Sequence, residues 1–85
     1  MFPRSIQLSG ADGLSLHALE WSQQGTLLLL LHGFGNSSRV WDDCAPDLAP
    51  HYRVIALDQR GHGDSPHDPE QRYESAAMAR DVEAV

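Results

Sequence analysis

Lysine is absent from the sequence, and positive charge is scarce. Six arginines stand against twelve acidic residues, which gives the 85 residues a formal net charge of −6. Nucleic acids and anionic membranes are bound by clustered positive charge, and no segment of this chain concentrates its arginines. We therefore expect neither a nucleic acid nor a membrane as a partner.

Cysteine and long apolar runs are equally scarce. The single cysteine, Cys44, leaves no internal disulfide, which suits a reducing compartment. The amino terminus has no apolar run of the length found in signal peptides. The longest run of leucines, residues 27–31, is far shorter than the roughly 20 residues of a membrane span. These features predict a cytoplasmic protein.

The first part of the sequence has the pattern of a β-hairpin. Apolar and polar residues alternate in residues 5–8 and again in residues 14–19, as in strands with one wetter face. Between them, Gly10 and Gly13 flank Asp12 in a segment that favours a turn. We expect the two strands to be antiparallel.

Two further strands differ in character from the hairpin. Residues 26–31 and 52–57 are apolar on consecutive positions, as expected of strands that are covered on both faces. Strands of this kind are parallel and are joined by a right-handed crossover. The sequence therefore predicts an α/β fold, in which a β-hairpin precedes a βαβα unit in a mixed, mainly parallel sheet, as one domain over residues 1–85.

Two helices are predicted from apolar residues that recur at steps of three and four. The first covers residues 38–48 and places Cys44 on its apolar face, where we expect a buried and unreactive thiol. The second begins near Ser75 and continues to the end of the chain. Its predicted apolar face consists of Met78, Val82 and Val85.

Two glycine-rich loops, residues 32–38 and 58–65, directly follow the two buried strands. Open α/β sheets bind their ligands at this carboxyl edge. One interpretation is a dinucleotide site, with Gly33 and Gly35 in the phosphate loop and Asp58 on the ribose. It is less favoured, because Ser38 stands where the motif has its third glycine and because a hairpin precedes the strand.

A metal site is a second alternative for the later loop. His62, Asp64, His67 and Asp68 lie close together in the sequence and could each offer a ligand atom. Metal ligands usually project from rigid elements with supporting partners, whereas this segment contains prolines and reads as a solvated surface loop. We expect no metal here.

Taken together, the two loops carry a resemblance to a known family. The first reads His32-Gly33-Phe34-Gly35 after the leucines, and the second reads Asp58-Gln59-Arg60-Gly61-His62-Gly63-Asp64-Ser65 after an apolar strand. With the preceding hairpin, this chain resembles the amino-terminal third of an α/β-hydrolase. The resemblance implies that the leucine strand pairs with the strand at residues 52–57.

The resemblance also implies roles for individual residues. The backbone N–H of Phe34 would bind the oxyanion that forms when a nucleophile attacks a carbonyl, and Phe34 and Gly35 would line the substrate pocket. No metal or organic cofactor is implied. The residues expected to hold the loops in shape are His32, Gly33, Asp58, Arg60, Gly61, Gly63 and Ser65. Of these, Asp58 and Arg60 are expected to share a charge-assisted hydrogen bond, and the Ser65 hydroxyl to bond the loop backbone.

The nucleophile elbow of that family, Gly-x-Ser-x-Gly, does not occur in the sequence. We expect the nucleophile, acid and histidine of the triad to lie beyond Val85, so that these residues form an incomplete domain that is inactive alone. The substrate implied is a small molecule with an ester or similar bond, because the proline-containing loops typical of proline iminopeptidases and epoxide hydrolases are absent. Two alternatives stay open: a truncated, non-catalytic remnant, and a subunit completed by a separate carboxyl-terminal fragment.

Overall fold

The structure is a computed structural model that describes residues 2–85. Its four strands form a single sheet in the order β1-β2-β4-β3. The elements are β1 (Arg4–Ser9), β2 (Ser15–Glu20), β3 (Leu27–Leu31), a 3₁₀ helix (Ser38–Trp41), α1 (Ala45–Leu48), β4 (Arg53–Leu57) and α2 (Ser75–Ala84). The predicted α/β fold with a mixed sheet is confirmed. Within residues 2–85 the sheet is not mainly parallel, because two of its three strand pairings are antiparallel and one is parallel.

The predicted hairpin is present and joins the rest of the sheet through its second strand. β1 and β2 are antiparallel, and their register ends with Ser9 opposite Ser15 at the turn. Asp12 and Gly13 both have positive φ there, 58° and 76°, a conformation that Gly and Asp tolerate better than most residues. β2 pairs on its other side with β4, again antiparallel.

The leucine strand pairs in parallel with β4, as the resemblance implies. The register runs from Leu27 opposite Arg53 to Leu31 opposite Leu57. β4 lies between two strands and is buried from Val54 onward, whereas β3 is an edge strand. The expectation that both faces of β3 are covered is wrong for its ends, since Leu27 and Leu31 are 49% and 40% exposed.

The two faces of the sheet carry two apolar clusters, as the alternation of side chains along a strand requires. On one face Leu19, Val54 and Ala56 pack with residues of α1. On the other face Leu16, Ala18, Ile55 and Leu57 pack together. Successive residues of β4 therefore contribute to opposite clusters, and this strand joins the two halves of the core.

The helix predicted over residues 38–48 is broken in two. A 3₁₀ helix ends at Trp41, and α1 begins at Ala45 with Pro46 in its first turn, where the missing N–H of proline costs no hydrogen bond. The break changes the direction of the intervening side chains. Cys44 is exposed, so the expectation of a buried thiol is wrong.

Helix α2 begins at Ser75, as predicted, but a different side of it faces the protein. Its buried residues are Ala77 and Asp81, whereas Met78 and Val82 of the predicted apolar face are only half-buried. The helix is anchored by a charged contact of Asp81 as well as by apolar packing. No helix within residues 2–85 has the length and apolar character needed to span a membrane.

Candidate functional site

The loop after β3 contains a tight turn that places Phe34 at its corner. The N–H of Asn36 donates to the carbonyl of Gly33 at 3.1 Å, and Gly35 has a φ of 82°. A four-residue turn with positive φ at its third position is of type II, which favours glycine there and a φ near −60° at the second position. The glycine pattern thus fixes the backbone around the Phe34 N–H.

His32 ties this turn to the loop after β4. Its Nδ1 lies 2.8 Å from the Gly33 carbonyl, and its Nε2 lies 3.0 Å from the backbone N of Gln59. Since a carbonyl only accepts and an N–H only donates, Nδ1 carries the proton and Nε2 the lone pair. The side-chain amide of Gln59 also donates to the His32 carbonyl, at 2.9 Å. Both ring nitrogens are therefore occupied by backbone partners.

His62 makes the reverse connection, from the second loop to the first. Its Nδ1 lies 2.9 Å from the Arg60 carbonyl, and its Nε2 accepts the N–H of Gly35 at 3.1 Å. The ring packs edge-on against Phe34, with centroids 5.3 Å apart. Sequence reasoning treated His62 as part of a solvated loop and missed this role, because the partner lies 27 residues away in the chain.

Phe34 is exposed at the corner of the turn. Its side chain is 87% exposed, and among residues 2–85 its N–H has no recorded hydrogen-bond acceptor. A cavity of about 420 Å³ opens beside it, between the two loops. The residues that line the cavity are Phe34, Gly35, Asn36, Gly61, His62, Gly63, His67 and Tyr73. The structure therefore brings Phe34 and Gly35 together with Gly61 and Gly63.

Asp58 anchors the start of the second loop from a buried position. Its carboxylate accepts the N–H of Ser38 at 2.6 Å, the His17 ring nitrogen at 2.7 Å and the N–H of Asp64 at 3.1 Å. Burial raises the pKa of this carboxyl, but the hydrogen bonds from Ser38, His17 and Asp64 together outweigh burial and lower it below its usual range. A Cβ at Gly63 would overlap the Asp58 carboxyl, so this close approach requires glycine.

Arg60 does not bond Asp58, so the expected pair is wrong. Its guanidinium is fully buried and instead binds both carboxylate oxygens of Asp81 on α2, each at 2.8 Å. It also contacts Asp12 at 3.1 Å and Asp68 at 3.3 Å. The Asp81 contact comes first among the causes that raise the pKa of Arg60. Arg60 thus joins the hairpin turn, the second loop and α2.

The Ser65 hydroxyl lies against backbone groups, as the sequence led us to expect. It donates to the carbonyl of Asp58 and accepts the N–H of His17 at 2.8 Å. Since the hydroxyl is buried and its proton is used by a carbonyl, Ser65 is a link between β2 and the second loop.

The geometry argues against the dinucleotide interpretation and does not assemble the metal ligands considered in the sequence. Asp58 is 2% exposed and its oxygens are already occupied, so it cannot reach the ribose of a dinucleotide. Within residues 2–85, the one group of three close metal-ligand atoms is His17, Asp58 and Asp64. It differs from the cluster considered in the sequence, whose Asp68 is held by Arg72 at 2.7 Å.

The chain matches the family model described as alpha/beta hydrolase fold over residues 26–85. It is 42% identical over 62 residues to the pimeloyl-(acyl-carrier protein) methyl ester esterase of Aeromonas hydrophila subsp. hydrophila, a match that covers 73% of this chain and 24% of that protein. It is 41% identical over 78 residues to epoxide hydrolase B of Mycobacterium tuberculosis, covering 86% of this chain and 22% of that protein.

Solved structures give the same result. The crystal structure of epoxide hydrolase A from Mycobacterium thermoresistibile superimposes with a TM-score of 0.85 at 28% identity, over 96% of this chain and 26% of that one. This chain therefore spans about a quarter of the length of the proteins it matches. The relatives include an esterase and epoxide hydrolases, so the comparisons do not choose between these two classes.

Proposed function

The chain belongs to the α/β-hydrolase fold family, and from that membership we propose that it supplies the oxyanion-binding loop of a hydrolase acting on esters of small molecules. One observation carries the proposal. The Phe34 N–H has no recorded acceptor in residues 2–85, although it lies in a turn whose geometry is fixed by glycines and by two histidines. A donor held in place without a partner can bind a charge that develops only during reaction.

In the proposed reaction, a nucleophile from the remainder of the hydrolase domain attacks the carbonyl carbon of the substrate. The oxygen becomes an anion, and the Phe34 N–H donates a hydrogen bond to it. The leaving alcohol departs, and water completes the hydrolysis. The histidines His32 and His62 do not transfer protons in this scheme, because both nitrogens of each ring are occupied by backbone groups.

The cavity supports a small, uncharged substrate. Its volume of about 420 Å³ is in the range of small-molecule pockets. Its lining consists of glycine, aromatic, histidine and asparagine residues, which favour apolar groups and single hydrogen bonds over a charged ligand. Phe34 and Gly35 would contact the acyl or alcohol part of the ester.

Proline at position 34 tests the proposal, because it removes the backbone N–H and leaves the turn intact. The second position of a type II turn has the φ that proline prefers. We expect Phe34→Pro to lower kcat for p-nitrophenyl butyrate by about 10²–10³-fold, the usual cost of one oxyanion donor. Phe34→Ala is the matched control, since it removes the ring but keeps the N–H. Equal activity of the two variants would contradict the proposal.

Epoxide opening is the second candidate, favoured by the 41% identity to epoxide hydrolase B. Styrene oxide and p-nitrophenyl butyrate, assayed side by side on the same preparation, distinguish the two. Turnover of styrene oxide without turnover of p-nitrophenyl butyrate would show that the substrate is an epoxide and not an ester.

These residues are further proposed to work with the remainder of a hydrolase domain, on the same polypeptide or on a complementing fragment, and to be inactive alone. An open groove of about 480 Å³ supports this, since Leu31 at the edge of β3 and Met78 and Val82 of α2 line it with apolar surface. Two measurements test these statements. The mass of the protein from its source cells shows whether the remainder lies on the same polypeptide, and an assay of the 85 residues alone shows whether they turn over substrate. Turnover by the 85 residues alone would refute them.

A cytoplasmic location stays a prediction.

A further inference from the structure

One more cluster of reactive groups lies on the hairpin side of the sheet. The Oγ of Ser5 on β1 is 3.1 Å from Nε2 of His17 on β2. The Nδ1 of the same ring is 2.7 Å from Oδ2 of Asp58. Hydroxyl, imidazole and carboxylate thus follow one another within hydrogen-bonding distance, which is the arrangement that activates serine nucleophiles.

When the His17 ring is neutral, its partners determine which nitrogen carries the proton. The Asp58 carboxylate can only accept, so Nδ1 donates to it and Nε2 carries the lone pair. The Ser5 hydroxyl is then the donor to Nε2. Asp58 stays ionised because the hydrogen bonds from Ser38, His17 and Asp64 together outweigh burial and lower its pKa. The ring is therefore oriented as a base toward Ser5.

The cluster is shielded at one end and open at the other. The side chains of His17 and Asp58 are 9% and 3% exposed, so little water competes for their hydrogen bond. Ser5 is exposed and lies on β1, the edge strand of the sheet. An electrophile can reach the hydroxyl from solvent while the base stays protected.

We propose that Ser5 is a nucleophilic serine and a covalent modification site for small activated acyl or phosphoryl electrophiles. The Oγ attacks the acyl carbon or phosphorus, its proton passes to Nε2 of His17, and the leaving group departs with that proton. Asp58 remains an anion and stabilises the imidazolium. We expect one fast adduct on the hairpin, at Ser5. The proposal is independent of the hydrolase activity, since none of these three residues lines the cavity beside Phe34.

The test is the rate at which diisopropyl fluorophosphate modifies individual serines of the protein as purified from its source cells, measured by peptide-resolved mass spectrometry. Ser15 is an internal control on the same hairpin. It is also exposed, but its hydroxyl donates to the Gln7 amide oxygen at 3.1 Å instead of to a histidine. General-base assistance is worth at least about a hundredfold, so Ser5 should react about a hundred times faster than Ser15.

Two comparisons decide the outcome without relying on a variant that could unfold. In concentrated urea the Ser5 to Ser15 ratio should fall to about one, because the base is supplied only by the folded sheet. Ser15→Ala should leave the Ser5 rate unchanged, whereas Ser5→Ala should remove the fast adduct from the hairpin peptide. Equal rates for Ser5 and Ser15 in the folded protein, or a ratio that persists in urea, would overturn the proposal.

Discussion

Replacing Arg60 by methionine should remove a large part of the free energy of unfolding of this domain. The reason is that the change leaves a buried carboxylate without its charged partner. Arg60 is fully buried and makes two 2.8 Å bonds to Asp81, whose side chain is 2% exposed. Without Arg60, Asp81 keeps one recorded partner in residues 2–85, the N–H of Ala11 at 2.8 Å. Removing one member of a buried pair costs about 3–5 kcal/mol, a large part of the 5–15 kcal/mol typical of a domain.

A second substitution separates the stranded charge from the loss of packing. Asp81→Asn keeps the volume of the side chain, which matters because the space is tight there: a Cβ at Gly10 would lie 2.9 Å from Oδ1. The double variant Arg60→Met with Asp81→Asn leaves no unpaired charge at position 81. The remaining cost is that of a buried amide that lacks part of its hydrogen bonds, about 1–3 kcal/mol. The double variant should therefore be more stable than Arg60→Met alone.

The assay is urea denaturation at pH 7, followed by far-ultraviolet circular dichroism on the protein from its source cells. Arg39→Met is the control, since Arg39 is 63% exposed and its 3.5 Å pair with Asp42 should contribute less than about 1 kcal/mol. A double variant no more stable than Arg60→Met would refute the reasoning, because the cost would then not come from the charge of Asp81.

Three further predictions concern single positions. Gly63→Ala should destabilise the protein more than Gly13→Ala in thermal unfolding, because both have positive φ but only a Cβ at Gly63 meets the Asp58 carboxyl. Asp58→Asn should destabilise the protein at pH 7, and the difference should shrink as the pH falls below about 4 in urea titrations. The reason is that a carboxyl with a lower pKa in the folded than in the unfolded state stabilises the fold at pH values above its unfolded pKa, near 3.9. This contribution is lost as the pH falls through the folded pKa. Cys44 should react with Ellman's reagent in the folded protein as fast as in urea, since it is exposed.

The parts of the fold that the sequence predicted correctly depend on residues close together in the chain. The hairpin follows from alternation on either side of a glycine turn, and the start of α2 at Ser75 follows from local periodicity. The parallel direction of β3 and β4 follows from two apolar runs with a crossover between them, whereas their pairing was implied by the resemblance. Each signal spans a few residues, so one sequence suffices to read it.

The wrong predictions concern side chains whose hydrogen-bond partners lie far away in the chain. Arg60 pairs with Asp81, 21 residues away, and Asp58 pairs with His17, 41 residues away. With twelve acidic residues in the chain, nothing local selects Asp81 for Arg60, and adjacency in the motif suggested Asp58 instead. The error at Cys44 has another cause, since a break between a 3₁₀ helix and α1 shifts the side-chain directions that a continuous helix would give.

The two loops depend on each other, which explains why they carry a stronger signal together than either does alone. His32 of the first loop accepts a backbone N–H of the second, and His62 of the second accepts one of the first. If the second loop were displaced, the Gly35 N–H would lose its acceptor and the adjacent Phe34 N–H would lose its fixed position. The pair of motifs is accordingly evidence that the two loops hold each other in position, whereas a single glycine loop is evidence for a turn.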